Sequence, residues 1–196
     1  TLFPYTTLFR SLKHLGKAWL SREALGLSIF AVLVAAGFLT AKGRVNAALA
    51  AVTALVGLLA LFFTGMTYAP PSFPALNNAL PFVFFLLTAA MLGASFAAFF
   101  SPPEKLPLVT RILAVSLIVG LVVYLVVPCA WLSGGTVMRQ TGLDYLSSPL
   151  YWARVVVGIV VPLLAVWKTR NVPVWVPVLV LAGEVYDNPE LYRGSI

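Results

Sequence analysis

Six apolar runs separated by short polar or basic breaks organise this chain. They are Ala24–Thr40, Ala47–Tyr68, Leu80–Phe100, Ile112–Leu132, Tyr151–Trp167 and Val174–Val185. A membrane-crossing helix needs about 20 mostly apolar residues, with a range near 17–25. Five runs meet that length, and the sixth is short. Within the runs, apolar residues are continuous rather than alternating with polar ones. That pattern predicts buried helices and argues against a β-barrel. The breaks read AKGR, APPSFPALNNAL, SPPEK and SGGTVMRQTGLDYLSS, and the last is expected to be the longest loop. Pro81, Pro107, Pro149 and Pro173 fall at run entries and exits, where a missing N–H costs least. Pro162 and Pro177 fall inside runs, where kinks are expected.

Composition sharpens this picture. The chain has 196 residues, 61% of them hydrophobic and 10% charged, with a mean hydropathy of +0.97. A soluble domain needs more polar surface than that. The expected class is an all-α, polytopic helical membrane protein. The net charge of +7 is not a nucleic-acid signature, because the cations sit in the breaks between runs, where they set topology. Lys42, Arg44, Lys105, Arg111, Lys168 and Arg170 gather on one side. Lys13, Lys17, Arg22, Arg139 and Arg193 fall on the other. The richer side is assigned to the cytoplasm. His14, Glu23 and the two long connections then face outward, towards the periplasm of a bacterium.

The two ends differ from the rest. Residues 1–11, TLFPYTTLFRS, resemble one translated frame of a sequencing adapter and are set aside as an artefact. Residues 12–185 are expected to form one transmembrane helical domain, and residues 186–196 a polar tail.

Few residues in such a chain can carry chemistry. His14 is the one histidine; its ring titrates near neutrality and can take a proton from a quinol hydroxyl, or can simply cap an interfacial loop. Glu23 stands at the first apolar turn, where a carboxylate is costly unless paired, solvated or used. It reads either as a proton acceptor or as a helix-start acid favoured by the helix dipole. Arg22 beside it is a supporting candidate. Arg154, next to Tyr151 and Trp152, can hold a quinone oxygen, but the reading preferred from sequence is a side chain snorkelling to an aromatic belt. Glu184 lies well inside the last run and is a functional candidate by position. Tyr68, Trp131 and Tyr145 read as belt residues, and Cys129 as a small helix-packing residue. One histidine cannot supply bis-histidine haem ligation, and one cysteine cannot build an iron–sulfur or metal site. There is no nucleotide-binding loop and no nucleophilic triad. Redox metals are therefore expected in partner subunits.

Several segments, taken in order, resemble the membrane-anchor subunit of bacterial dimethyl sulfoxide reductase, the DmsC family. They are LKHLG at Leu12–Gly16, LSREALGLSIF at Leu20–Phe30, LLTAAMLGA at Leu86–Ala94, YWARVVVGIVVPLLAVW at Tyr151–Trp167 and VLAGE at Val180–Glu184. The resemblance implies an eight-helix bundle of which this chain carries about six helices, the first two lying upstream of Leu12. It implies a menaquinol site near the periplasmic face, with His14 and Glu23 at the family's histidine and acidic positions. Electrons would pass to an iron–sulfur subunit and then to a molybdopterin catalytic subunit, in anaerobic respiration at the inner membrane. The alternatives are an anchor of a related polysulfide- or nitrite-type reductase, or a small-solute transporter with midplane charges and internal repeats.

Overall fold

The computed structural model describes residues 18–40, 46–69 and 71–185. Among these, all regular structure is helical: α1 Trp19–Thr40, α2 Ala47–Thr67, α3 Leu80–Phe100, α4 Leu106–Leu132, α5 Thr136–Ser147, α6 Pro149–Thr169 and α7 Val176–Val185. Helices α1, α2, α3, α4 and α6 are long and apolar enough to cross a bilayer. A helix of 21 residues rises about 31 Å, close to the roughly 30 Å hydrocarbon core. Large apolar side chains such as Phe38, Leu39, Phe100 and Trp167 point outward, which lipid favours and water does not. The chain is thus an all-α polytopic membrane protein, as its hydropathy pattern predicts. His14, residues 1–11 and the tail at 186–196 lie outside the described residues. The helices gather into two compact units, one up to Leu86 and one from Leu87 onward.

In the first unit, α1 and α2 form an antiparallel hairpin held by small residues. A Cβ placed on Gly26 would lie 3.4 Å from Ala60 Cα, and one on Gly57 would lie 2.9 Å from the Phe30 ring. Gly37 faces Leu49 further along. Positions 23, 26, 30 and 37 recur at alternating spacings of 3 and 4, or their sum, which is one helix stripe. Hydrophobic burial contributes little between helices in lipid, so this close approach is what holds the pair. Asn46 caps α2, its side chain accepting from the Ala48 and Leu49 N–H groups. Gly65 lets the start of α3 come close: a Cβ there would lie 2.5 Å from Phe82 Cα.

The second unit packs around Met91, Leu113, Leu117, Ile159, Val176 and Val180, all fully buried. Two prolines shape it. Pro128, inside α4, has no N–H for the carbonyl of Tyr124, four residues earlier. The Tyr151 hydroxyl donates to that carbonyl instead, which joins the start of α6 to α4. Pro162 likewise has no N–H for the carbonyl of Gly158. The chain before it widens into a π-helical segment, Arg154–Val160, in which the Val161 N–H donates to Val156 O, five residues back. The expected kink at Pro162 is therefore a π segment.

Five other expectations are corrected. The predicted long loop contains α5, a helix of 12 residues. It begins at the Gly134–Gly135 break and packs Gly142 against α4, where a Cβ would lie 2.9 Å from Pro128 O. Pro177 does not kink a helix, because α7 starts at Val176 and the proline falls in its first turn. Helix α4 begins at Leu106 rather than Ile112, so Arg111 is helical. Trp131 is buried, edge-on to Tyr145 with ring centroids 5.5 Å apart, and Cys129 is exposed. The tryptophan therefore packs and the cysteine faces out, the reverse of the sequence reading.

The Tyr151–Tyr124 bond generates a test. Tyr151→Phe orphans the Tyr124 carbonyl and is expected to destabilise the purified protein in detergent by about 1–3 kcal/mol. In a Pro128→Ala background the helix supplies its own N–H, and the same substitution is expected to cost much less. Equal costs in the two backgrounds, by thermal unfolding, would refute the link.

Candidate functional site

Two carboxylates lie within the helical packing, and each is met by a threonine from another helix. Hydroxyls in apolar helices ordinarily donate to the carbonyl four residues earlier, because no water is present to take the bond. Ser28, Thr40, Thr53, Thr67, Ser116 and Thr169 do so. Thr64 and Thr88 instead donate across, to Glu23 and Glu184.

In the first unit, Glu23 sits in the second turn of α1 on the stripe that faces α2. Its Oε1 accepts from Thr64 Oγ1 at 3.1 Å. Its Oε2 is buried and has no hydrogen-bond partner among the described residues. A buried acceptor without a donor is rare and costly. Such an oxygen is chemically suited to take a proton from a hydroxyl brought to it. Arg22, the next residue back, holds its guanidinium over the Trp19 ring at 4.6 Å, a cation–π contact. Trp19 in turn packs edge-on to Phe62 at 6.2 Å. A groove of about 340 Å³, lined in part by Phe30, Gly37, Asn46 and Ala50, opens between α1 and α2. Its lining residue nearest Glu23 in sequence, Phe30, lies seven residues further on, about 10 Å along the helix, and neither Glu23 nor Thr64 lines the groove.

In the second unit, Arg154 Nη2 meets Glu184 Oε2 at 2.5 Å, and Thr88 Oγ1 donates to the same oxygen at 2.9 Å. The guanidinium lies over the Tyr124 ring, 4.7 Å from its centroid. Arg154 is only 8% exposed, so the snorkelling reading is corrected: the side chain points inward. The cause is backbone approach. Gly158 and Gly183 touch, with a Cβ on Gly183 falling 2.5 Å from Gly158 Cα, and this draws α6 and α7 close enough for the pair to form. Trp152, also a candidate, is exposed and donates its indole N–H to Leu146 O at 2.8 Å. The Arg154–Glu184 pairing was missed from sequence, although a lone cation and a lone acid in neighbouring apolar runs are a usable signal.

His14 lies outside the described residues, so its expected place beside Glu23 carries no geometry. The structure brings Glu23 to Thr64 and Arg154 to Glu184. Among the described residues, no three His, Cys, Asp or Glu side chains gather as a metal site would need.

A family model described as DMSO reductase anchor subunit (DmsC) matches residues 6–183. The chain belongs to the DmsC family. Searches of curated proteins and of solved structures found no significant match. This DmsC-family chain is accordingly a multi-pass membrane anchor subunit of a DMSO reductase-type complex, with reductase subunits as its partners. Its bilayer-length helices fit that role.

The buried ion pair also makes a prediction for DmsC assembly. Arg154→Met leaves the Glu184 carboxylate without its guanidinium and is expected to destabilise the protein by about 3 kcal/mol. Arg154→Met with Glu184→Gln removes both charges and is expected to recover much of that. Thermal unfolding of the three proteins in detergent reads the difference, and a double variant no better than the single would overturn the assignment.

Proposed function

We propose that this anchor binds and oxidises menaquinol at Glu23 and passes its electrons to the iron–sulfur subunit of a molybdenum oxidoreductase of the dimethyl sulfoxide reductase type. The observation that carries the reading is the Glu23 carboxylate, with one oxygen held by Thr64 and the other buried with no partner among the described residues. Oxidation of a quinol to a quinone removes two electrons and two protons. Glu23 accepts one proton from a quinol hydroxyl, and His14 is assigned the second. Both protons leave on the periplasmic side, in keeping with the loop-charge topology. The two electrons go to the iron–sulfur subunit and from there to the molybdopterin subunit, which reduces the terminal acceptor in anaerobic respiration. The chain itself contributes orientation and proton acceptance, while the redox chemistry belongs to the cofactors of its partners.

In this reading the remaining candidates have other work. Arg154 neutralises Glu184 and ties α6 to α7, so it is not assigned to the quinol. Arg22, stacked on Trp19, fixes the start of α1 beside Glu23. The site lies in the inner membrane of a bacterium, within reach of quinol diffusing laterally through the bilayer.

Replacing the carboxylate tests this. In the assembled complex, Glu23→Gln keeps the shape and the Thr64 contact but cannot take the proton. Naphthoquinol-supported acceptor reduction is expected to fall by more than about a hundredfold. Reduction driven by an artificial dye that delivers electrons directly to the catalytic subunit is expected to stay normal. Quinol-supported rates at the unsubstituted level would remove the proposal.

A further inference from the structure

We infer that Thr64 is a positioning residue for menaquinol oxidation, fixing the Glu23 carboxylate so that Oε2 receives the quinol proton. The inference rests on the quinol reading above and adds a residue on a second helix to it. Thr64 and Thr67 stand three residues apart on α2. Thr67 donates to its own helix, at Phe63 O, 2.9 Å away. Thr64 donates to a side chain 41 positions away in sequence. The difference is therefore not a property of threonine in this helix. It is set by what faces the hydroxyl.

The hairpin register supplies that facing group. Gly26 meets Ala60 and Phe30 meets Gly57. One turn further towards the start of α1, the same register brings Glu23 opposite Thr64. A glutamate has three side-chain torsions and otherwise samples several rotamers. A β-branched threonine in a helix has two favoured χ1 rotamers, so its hydroxyl oxygen is confined to few positions. A bond from that hydroxyl to Oε1 selects one carboxylate orientation and leaves Oε2 for the substrate. The second carboxylate shows the contrast. At Glu184 the threonine and the guanidinium converge on one oxygen, Oε2, and the charge is matched within the protein. At Glu23 the described hydrogen bond is Thr64 alone.

The test uses the full complex in membranes, with a short-chain naphthoquinol as electron donor and rates expressed per assembled complex. Thr64→Val removes the hydroxyl at nearly constant volume. It is expected to lower kcat by about tenfold with KM little changed, because orientation is lost rather than binding. Thr64→Ser keeps the hydroxyl and is expected to restore most of the rate. If Thr64→Val does not accumulate, Thr64→Ala and Thr64→Ser provide the same comparison. A role confined to packing would lower the amount of complex and leave kcat per complex unchanged, which would overturn the inference. Equal losses in the valine and serine variants would overturn it too. Glu23→Gln runs in parallel: if it is inactive while Thr64→Val is normal, the positioning role fails and the quinol site stands. If Glu23→Gln is fully active, the quinol site itself fails and the inference with it.

Discussion

A polar group inside a bilayer has no water to turn to, and most of what is specific in this chain follows from that. In the apolar helices the backbone satisfies itself, and the short hydroxyls fold back onto their own carbonyls. The groups that cannot do so are few. Among the described residues they include two carboxylates, one guanidinium and the carbonyl freed by Pro128. Each has a named partner on another helix: Glu23 with Thr64, Glu184 with Arg154 and Thr88, and Tyr124 O with the Tyr151 hydroxyl. These contacts are directional, whereas apolar packing in lipid is not. They decide which helix faces turn towards each other.

Directional contacts need close backbones, and small residues provide them. The Gly26–Ala60 and Phe30–Gly57 contacts set the α1–α2 register that carries Glu23 to Thr64. The Gly158–Gly183 contact does the same for Arg154 and Glu184. The π segment at Arg154–Val160 belongs to this arrangement. It accommodates the donor that Pro162 lacks, the Val161 N–H reaching back to Val156 O, and it begins at the residue whose side chain turns inward. A widened turn re-aims a side chain without breaking the helix. The proline, the glycine and the arginine in this stretch of α6 thus serve one geometry.

The all-helical class and the order of the five bilayer-length helices were legible in the sequence because long apolar runs admit few other structures. The carboxylate at position 23 was legible for the same reason: a charge at that depth is costly and calls for a use. What the sequence concealed were pairings between runs. Arg154 beside Tyr151 and Trp152 has the composition of an interfacial belt, and only the approach of α7 turns it inward. The segment between α4 and α6 is polar enough to read as a loop, yet it is helical because Gly142 lets it lie against Pro128 and the aromatic rings hold it there. Trp131 reads as a belt residue until α5 covers it. In each case the missing information was which surface comes to rest against the residue, and local hydropathy does not encode that.

The two carboxylates illustrate how one residue type takes opposite roles under one constraint. A glutamate whose charge is met by an arginine is stabilised as an anion, and any substrate proton would have to compete with that guanidinium. Such a residue holds helices together. A glutamate met among the described residues only by a hydroxyl keeps one carboxylate oxygen unengaged. The partner, more than the depth, separates the fastening carboxylate from the one proposed to react. That is the physical ground for assigning quinol chemistry to Glu23 and structure to Glu184.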